Sequence, residues 1–167
     1  MNNVLDTLTG RAPAALLAAS AGLLATVFAM QYWGGLAPCR LCIAQRWPHG
    51  AVIVLAGLAM LPVADGVRRT LLGLAALALI TGSAIAVYHT GIELHWFPGL
   101  GTCSGVAIRA DTLDELRRQL MAAPVVRCDE VPWSLFGISL AGYNVLASAA
   151  LAALAVAAAL RRKAGIT

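Results

Sequence analysis

Apolar residues occur along this chain in four long blocks that polar segments separate. The blocks cover residues 13–33, 47–64, 71–89 and 135–160, and none has Asp, Glu, Lys or Arg between its ends. About 20 mostly apolar residues in a helix span the hydrocarbon core of a bilayer, and the blocks lack the alternation of a barrel strand. Because backbone groups in lipid must bond to one another, the pattern predicts four transmembrane helices.

The connections between the blocks differ in length. Residues 34–46 form a short loop, residues 65–69 a tight turn and residues 90–134 one long loop. With an even number of spans, the termini and the tight turn lie on one side of the membrane, and the two loops lie on the other. We therefore expect an all-α membrane protein with a single domain, a four-transmembrane-helix bundle with one long loop.

Composition excludes other classes of protein. Of the 167 residues, 60% are hydrophobic and 12% are charged, and the mean hydropathy is +0.79. Soluble domains have roughly 45–50% apolar and 25% charged residues, and disordered chains have low hydrophobicity and high charge. The net charge of +4 is therefore interpreted by its location rather than as a nucleic-acid signal.

Basic residues near the span ends predict the orientation. The side of the termini holds Arg11, Arg68, Arg69, Arg161, Arg162 and Lys163, and the opposite side holds Arg40, Arg46, Arg109, Arg117, Arg118 and Arg127. The totals are equal, but four of the second set are spread along a loop that also holds six acidic residues. We therefore expect cytoplasmic termini and extracytoplasmic cysteine loops, in a compartment where disulfides persist.

Two local features have alternative interpretations. Residues 36–39 loosely resemble a lipoprotein cleavage site, but the preceding apolar run exceeds the roughly 7–15 residues of a signal peptide, and we expect no cleavage. In the long loop, Thr112 and Glu115 have the spacing of a capping box and predict a short helix over 112–122. Its apolar side either packs on the loop or lies in the membrane surface, where Arg117 would reach the headgroups.

Cys39 and Cys42 form a C-x-x-C sequence just before the second span. This spacing suits a reversible disulfide and a thiol of lowered pKa, and a helix N-terminus favours the thiolate. Arg46 adds a full positive charge, and helical geometry would place it on the face of both cysteines. Pro48 limits that geometry because proline is tolerated only in the first turn of a helix, which would start near 45–47. Alternatively, Arg46 is an anchor that snorkels to the interface.

Cys103 and Cys128 lie 25 residues apart in the long loop. They could form a structural staple, or they could exchange disulfides with the C-x-x-C pair on the same side. In the second case electrons must leave the C-x-x-C pair, and the sequence offers no further thiol, evident haem ligand set or nucleotide motif. A lipid-soluble two-electron acceptor, a quinone, would fit.

A metal centre is the competing interpretation of the C-x-x-C. Structural zinc requires four ligands, and the further candidates are Cys103, Cys128, His49, His89 and His95. No second C-x-x-C is present, and the spacing of His89 and His95 is only a weak match to a zinc finger. We predict no metal site.

At these residues the sequence resembles the disulfide bond formation protein B (DsbB) family, bacterial inner-membrane oxidases that reoxidise the periplasmic dithiol oxidase DsbA. The matching segments are, in order, PCRLC (38–42), QRWP (45–48), YHTGIE (88–93) with Trp96, TC (102–103), CDEVPW (128–133), FGIS (136–139) and YN (143–144). They span most of the chain. Their combination is far more specific than an isolated C-x-x-C.

The resemblance implies a route for electrons. Reduced DsbA would attack the Cys103/Cys128 disulfide at Cys103, the Cys39/Cys42 pair would reoxidise the loop pair, and the Cys42 thiolate would donate to ubiquinone or menaquinone. Arg46 aligns with the quinone-contacting arginine of the family, where its guanidinium could stabilise a thiolate and a developing quinone anion. His89 aligns with a histidine near the quinone, although it could instead simply end the third span.

Two rival functions stay open at this point. A vitamin K epoxide reductase-like protein runs related chemistry, but it places the C-x-x-C in a late span, the reverse of the order here. A non-catalytic tetraspan scaffold would keep its cysteines as static staples, and Arg46→Lys would then have no effect.

Overall fold

The computed structural model describes residues 11–99, 112–114, 117 and 126–161. Within these residues the chain is mostly helical. The helices are α1 (Ala12–Tyr32), α2 (Arg40–Ala44), α3 (Arg46–Met60), α4 (Asp65–Glu93) and α5 (Leu140–Leu160). Four segments are long and apolar enough to cross a membrane, namely α1, α4, α5 and the continuous stretch Arg40–Met60 that joins α2 to α3. The predicted all-α, four-span bundle is confirmed.

The observed helices differ in extent from the apolar blocks. Helix α4 continues beyond residues 71–89 at both ends, because polar residues such as Asp65 and Glu93 also adopt helical geometry. Helix α5 starts only at Leu140, since an antiparallel hairpin of β1 (Ser134–Leu135) and β2 (Ile138–Ser139) precedes it. A short apolar run does not distinguish a strand from a helix.

Small residues form the centre of the bundle. Helix α4 packs against both α3 and α5, while α1 packs against α3. Ala56, Ala75 and Ala155 are fully buried where these helices meet, and small side chains permit the close backbone approach that stabilises helix pairs in lipid. Larger side chains such as Val54 and Leu77 point outwards and are exposed, as lipid-facing residues are.

The predicted tight turn over residues 65–69 is wrong, because these residues form the start of α4. Two arginines of this segment, Arg68 and Arg69, close the end of the bundle opposite the cysteines. Arg68 donates through Nε to the carbonyl oxygen of Ala59 at 3.0 Å, and Arg69 donates through Nε to that of Ala159 at 2.8 Å. These carbonyls belong to the last turns of α3 and α5, which lack partners within their own helices. The first turns of α4 therefore cap two helices, and the charges of the two arginines complement the C-terminal dipoles of those helices.

Part of the long loop lies outside the described residues. This applies to Cys103 and to most of the helix predicted over 112–122. Of that segment, residues 112–114 and Arg117 are described, and all of them are exposed.

Candidate functional site

Both cysteines of the C-x-x-C lie at the start of α2. Cys39 is the N-cap, and its Sγ accepts the backbone N–H of Cys42 at 3.2 Å. The Cys39 thiol donates to the Cys42 sulfur across 2.9 Å. An N-cap with a side-chain acceptor satisfies a backbone donor that the helix leaves free. The capping geometry thus holds the two sulfurs next to each other.

The environment of Cys39 favours its protonated form. Its hydrogen bond to Cys42, together with burial, raises the pKa of the Cys39 thiol from 9.0 to about 12. The side chain is also almost fully buried. Cys39 therefore keeps its proton at neutral pH in the dithiol state.

Cys128, near the end of the long loop, lies beside the C-x-x-C pair. Together with Cys39 and Ile92 it forms a buried cluster, against which Cys42 and Tyr88 pack. Cys128 is only 1% exposed, although the chain around it is polar. Two cysteines that are 89 positions apart in sequence thus share one enclosed volume, which the sequence pattern could place only on the same side of the membrane.

The residues that flank Cys128 form an exposed ion-pair cluster. The guanidinium of Arg127 donates to both carboxylate oxygens of Asp129, at 2.9 and 2.5 Å, and lies 3.6 Å from Glu130. The Arg127 hydrogen bonds lower the pKa of Asp129 to about 2. This fork restricts the backbone on either side of Cys128.

Arg46 lies at the first position of α3 and is held by α1. Its Nη1 donates to Oε1 of Gln31 at 2.7 Å, and its guanidinium carbon lies 4.8 Å from the centre of the Phe28 ring. Pro48 is the third residue of α3, so the helix start near 45–47 that the proline predicted is confirmed. Because α2 precedes it with only Gln45 between, helical geometry also extends back to Cys42.

His89 is buried beside the C-x-x-C. Its Nε2 lies 3.5 Å from the Cys39 sulfur and 3.8 Å from Oε1 of Glu93. Its Nδ1 lies 2.8 Å from Nε2 of Gln45. The histidine is therefore in direct contact with the cysteine pair rather than merely at the end of a span.

Glu93 is a buried acid on the last turn of α4. Only 8% of the residue is exposed, and its Oε2 accepts the hydroxyl of Ser139 at 2.5 Å. Ser139 is also the N-cap of α5, where it accepts the N–H of Gly142. Glu93 thus ties the cysteine end of α4 to the start of α5.

A metal ion could in principle use part of this set. Sulfur atoms of Cys39 and Cys42 and a ring nitrogen of His89 lie within 4.8 Å of one another. Three atoms are one fewer than the four ligands of a closed structural zinc site. A dithiol beside an ionisable histidine also suits thiol–disulfide chemistry.

An apolar cavity of about 410 Å³ opens among the four long helices next to this site. Its walls include Leu23, Leu24, Val27, Met30, Leu36 and Leu140, and its polar lining includes Cys42, Gln45, Arg46, His49, His89, Glu93 and Asn144. The volume lies in the range of small-molecule sites, which combine apolar walls with a few polar groups. An apolar ring with hydrogen-bonding oxygens, as in a quinone, fits such a lining.

Several polar residues of the site were not predicted from the sequence. Gln45 and Asn144 belong to the segments that carry the family resemblance, but no role followed for them. His49 was considered only as a metal ligand. A polar side chain within an apolar span is costly and marks a functional site, and that signal alone would have identified His49 and Asn144.

Comparisons with known proteins find similar chains. A family model described as "Disulfide bond formation protein DsbB" matches residues 10–158. The chain is 31% identical over 160 residues to "Disulfide bond formation protein B" of Verminephrobacter eiseniae, covering 93% of this chain and 88% of the relative. It is 32% identical over 148 residues to "Disulfide bond formation protein B 2" of Pseudomonas savastanoi pv. phaseolicola, covering 81% and 79%. No solved structure matches the chain significantly.

Proposed function

The chain belongs to the DsbB family of disulfide-generating membrane oxidoreductases, and on that premise we propose how its own residues carry the electrons. They pass from a periplasmic DsbA-like dithiol protein to the Cys103/Cys128 pair, then to Cys39/Cys42, and finally to a membrane quinone beside Cys42 and Arg46. The family implies quinone use, and the choice between ubiquinone and menaquinone is left to experiment.

The observation that carries this proposal is the shared burial of Cys128 and Cys39. Thiol–disulfide exchange requires a thiolate to reach a disulfide sulfur and form a mixed disulfide. The cluster of Cys39, Ile92 and Cys128 makes Cys39 the sulfur that a Cys128 thiolate attacks. That step forms a Cys39–Cys128 bond and releases Cys42 as a thiol or thiolate beside the cavity. Once the partner has released Cys103, the Cys103 thiolate attacks Cys128, which breaks the Cys39–Cys128 bond, re-forms the Cys103–Cys128 disulfide and leaves Cys39 and Cys42 both reduced.

Disulfide exchange with the partner protein precedes the attack of Cys128 on Cys39. One thiolate of the reduced partner attacks Cys103 of the loop disulfide, which breaks the Cys103–Cys128 bond and frees Cys128. The second partner thiol then displaces Cys103, so that the partner leaves with a disulfide. Each partner molecule thereby transfers two electrons and releases two protons.

Cys42 and Arg46 complete the sequence at the cavity. A bound quinone supplies an acceptor for two electrons and two protons. Cys42 faces the cavity as the donor sulfur, while Arg46, fixed by Gln31 and Phe28, stabilises negative charge on the sulfur and on a nearby oxygen. His89, which contacts Cys39, orients the cysteine pair at the mouth of the cavity.

The chain is a multi-pass membrane protein with four candidate spans. We propose that it resides in a bacterial inner membrane with both termini in the cytoplasm. The cysteine loops would then face the periplasm, which DsbA and DsbB keep oxidising through quinone. This placement also gives the partner direct access to the long loop.

A single-turnover experiment tests the cavity step separately from the partner. The fully reduced protein, mixed without oxygen with a short-chain benzoquinone, should form quinol as Cys39 and Cys42 form their disulfide. Cys42→Ser should form none. Arg46→Ala should raise the quinone concentration needed for half-maximal rate by about tenfold to 100-fold, the value of one or two charge-assisted contacts.

Arg40→Ala is the matched control, because Arg40 carries the same charge two residues from Cys42 but is exposed. It should behave as the unmodified protein. Equal quinone dependence for Arg46→Ala and Arg40→Ala would move the quinone site away from Arg46.

A further inference from the structure

His49 is an ionisable residue in the interior of the bundle that the proposed route does not use. It lies on α3, three residues beyond Arg46, and only 4% of it is exposed. Three residues correspond to about 4.5 Å along a helix axis and to the same side of the helix. Arg46 and His49 accordingly line the same cavity, with His49 on the side farther from the cysteine loops.

The hydrogen bonds around His49 assign its two ring nitrogens. Asn144 donates through Nδ2 to Oε1 of Gln45 at 2.6 Å, so its Oδ1 is an acceptor. His49 Nε2 lies 2.9 Å from that oxygen and therefore carries a hydrogen. The amide of Asn144 thus fixes the ring in the Nε2–H tautomer, as a carboxylate or carbonyl partner does for a catalytic histidine.

The other nitrogen, Nδ1, is held only loosely. Its neighbour is the hydroxyl of Ser20 on α1 at 3.4 Å, beyond the usual length of a strong hydrogen bond. Nδ1 can therefore gain and release a proton while Nε2 keeps the ring in place. A neutral side chain could make the hydrogen bonds that link α1, α3 and α5 here. The presence of an ionisable group therefore indicates a further role.

From this geometry, and resting on the function proposed above, we propose that His49 forms the far end of the quinone site and delivers a proton from Nδ1 to the quinone oxygen remote from Arg46. A quinone carries its two oxygens on opposite sides of the ring, and Arg46 and His49 both line the cavity from positions about 4.5 Å apart along the axis of α3. The two polar groups match the two oxygens.

The step balances. Oxidation of the Cys39 and Cys42 thiols to a disulfide releases two electrons and two protons, and reduction of the quinone to a quinol consumes both. His49 accepts one of the protons that the thiols release at Nδ1, passes it to the quinone oxygen and so returns to its Nε2–H tautomer. No other oxidant or reductant is required.

Several groups surround His49 and bear on its protonation. Ser20 faces it from α1, Gln45 lies one turn earlier, and Asn144 and Ser148 face it from α5. The other charged or titratable groups that line the same cavity are Cys42, Arg46, His89, Glu93 and Tyr143. Substitution of any of these groups should shift the pH dependence of quinol formation, while His49 still delivers the proton.

The first experiment measures quinone binding under conditions in which no turnover occurs. In the fully oxidised protein with an oxidised short-chain benzoquinone no electron transfer is possible, so the side-chain nitrogens of ¹⁵N-labelled histidine report contact alone. The resonance of Nδ1 of His49 should shift on addition of the quinone. That of the exposed His95, outside the cavity, should not. An unchanged His49 resonance under saturating quinone would overturn the proposal.

His49→Gln then separates proton delivery from structure. Glutamine can still donate to Asn144 but cannot release a proton, so kcat for quinol formation should fall by about 100-fold, the usual value of general acid catalysis. Disulfide exchange between the loop pair and C-x-x-C should stay unchanged. His95→Asn is the control, because asparagine tolerates the positive φ of 59° at that position.

The outcomes distinguish this proposal from the function on which it rests. If the unmodified protein forms no quinol, the proposed function fails. If the unmodified protein forms quinol and His49→Gln forms it equally fast, only the role of His49 fails, and the histidine is a structural tie.

Discussion

The sulfur of Cys39 belongs to two sets of contacts at once. It caps α2 by accepting the N–H of Cys42, and it lies in the buried cluster with Cys128. A sulfur that is exchanged between two partners must touch both without large movement of the backbone. The N-cap position provides this, because a capping residue lies outside the helix while its side chain points back to the first turn.

The raised pKa of Cys39 leads to a measurable pH dependence. In a Cys103→Ser/Cys128→Ser protein with reduced C-x-x-C, alkylation of Cys39 by iodoacetamide should rise about tenfold per pH unit up to about pH 10 or higher, because only the thiolate reacts and the pKa is about 12. Peptide mass mapping would follow each cysteine. A rate that levels off near pH 9 would contradict the assignment.

A second variant tests the cause of that shift. The hydrogen bond from Cys39 to Cys42 is the largest contribution to the raised pKa, ahead of burial. Cys42→Ala removes the bond and leaves the burial. Alkylation of Cys39 at about pH 8 should therefore become faster in Cys42→Ala, as the thiolate fraction rises.

Spacing alone could predict some residues of the site but not their partners. The C-x-x-C and the basic residue after it were visible in the sequence, because a helix start brings nearby positions together. Gln31 and Phe28 were not, since they reach Arg46 from another helix. The contact of Cys128 with Cys39 likewise depends on how a long loop folds back, and no local pattern encodes that path.

At the scale of helices, the close contact of α3 with α4 positions the cavity residues. A Cβ built on Gly82 of α4 would lie 3.0 Å from Cβ and 3.2 Å from Cγ of Pro48. Both are atoms of a rigid ring in the first turn of α3, directly between Arg46 and His49 in sequence. Gly82 therefore allows the start of α3 to approach α4, and this approach sets the depth of the polar groups in the cavity.

Gly82→Ala should disturb that contact. The added methyl group must displace α3, which we expect to cost about 1–3 kcal/mol of stability and to weaken quinone use. Gly73→Ala on the same helix is the matched control, because nothing lies within 4 Å of its Cβ position. Alanine is the better helix former by up to about 1 kcal/mol, so the control should be neutral or stabilising.

Unfolding in detergent and the quinone dependence of the rate would check both variants. If Gly82→Ala were as stable and as active as Gly73→Ala, the contact with Pro48 would not position α3.

The sequence predicted the helices better than it predicted their ends. Long apolar runs specify spans, because no other structure satisfies the backbone in lipid. Their ends depend on caps and on contacts between elements. The hairpin before α5 has positive φ values at Phe136 and Gly137, which suit a tight two-residue turn. A phenylalanine in the sequence does not predict such a turn.

The two ends of the whole molecule have different chemistry. All four tryptophans lie close to the cysteine loops in sequence, and Trp33, Trp47 and Trp96 are strongly exposed, as in an aromatic belt at a membrane interface. The opposite end is closed by Arg68 and Arg69. Because the basic residues of the two sides are equal in number, the orientation proposed above rests on their placement against helix ends.

Thiol labelling in intact cells or spheroplasts would test that orientation. After reduction, a membrane-impermeant maleimide added from the periplasmic side should label Cys103, and a Cys introduced in place of Thr167 should be labelled only after permeabilisation. Labelling of Cys103 solely from the cytoplasmic side would reverse the topology and leave the loop pair facing away from a periplasmic partner.

The most direct measurement of the central claim uses the purified protein with a reduced DsbA-like partner and a quinone, without oxygen. One quinol should form for each partner disulfide, and thiols should disappear in step with it. The rate should vanish in Cys42→Ser. Absence of quinol, with both cysteine pairs remaining intact disulfides, would contradict the account and leave the cysteines as static staples.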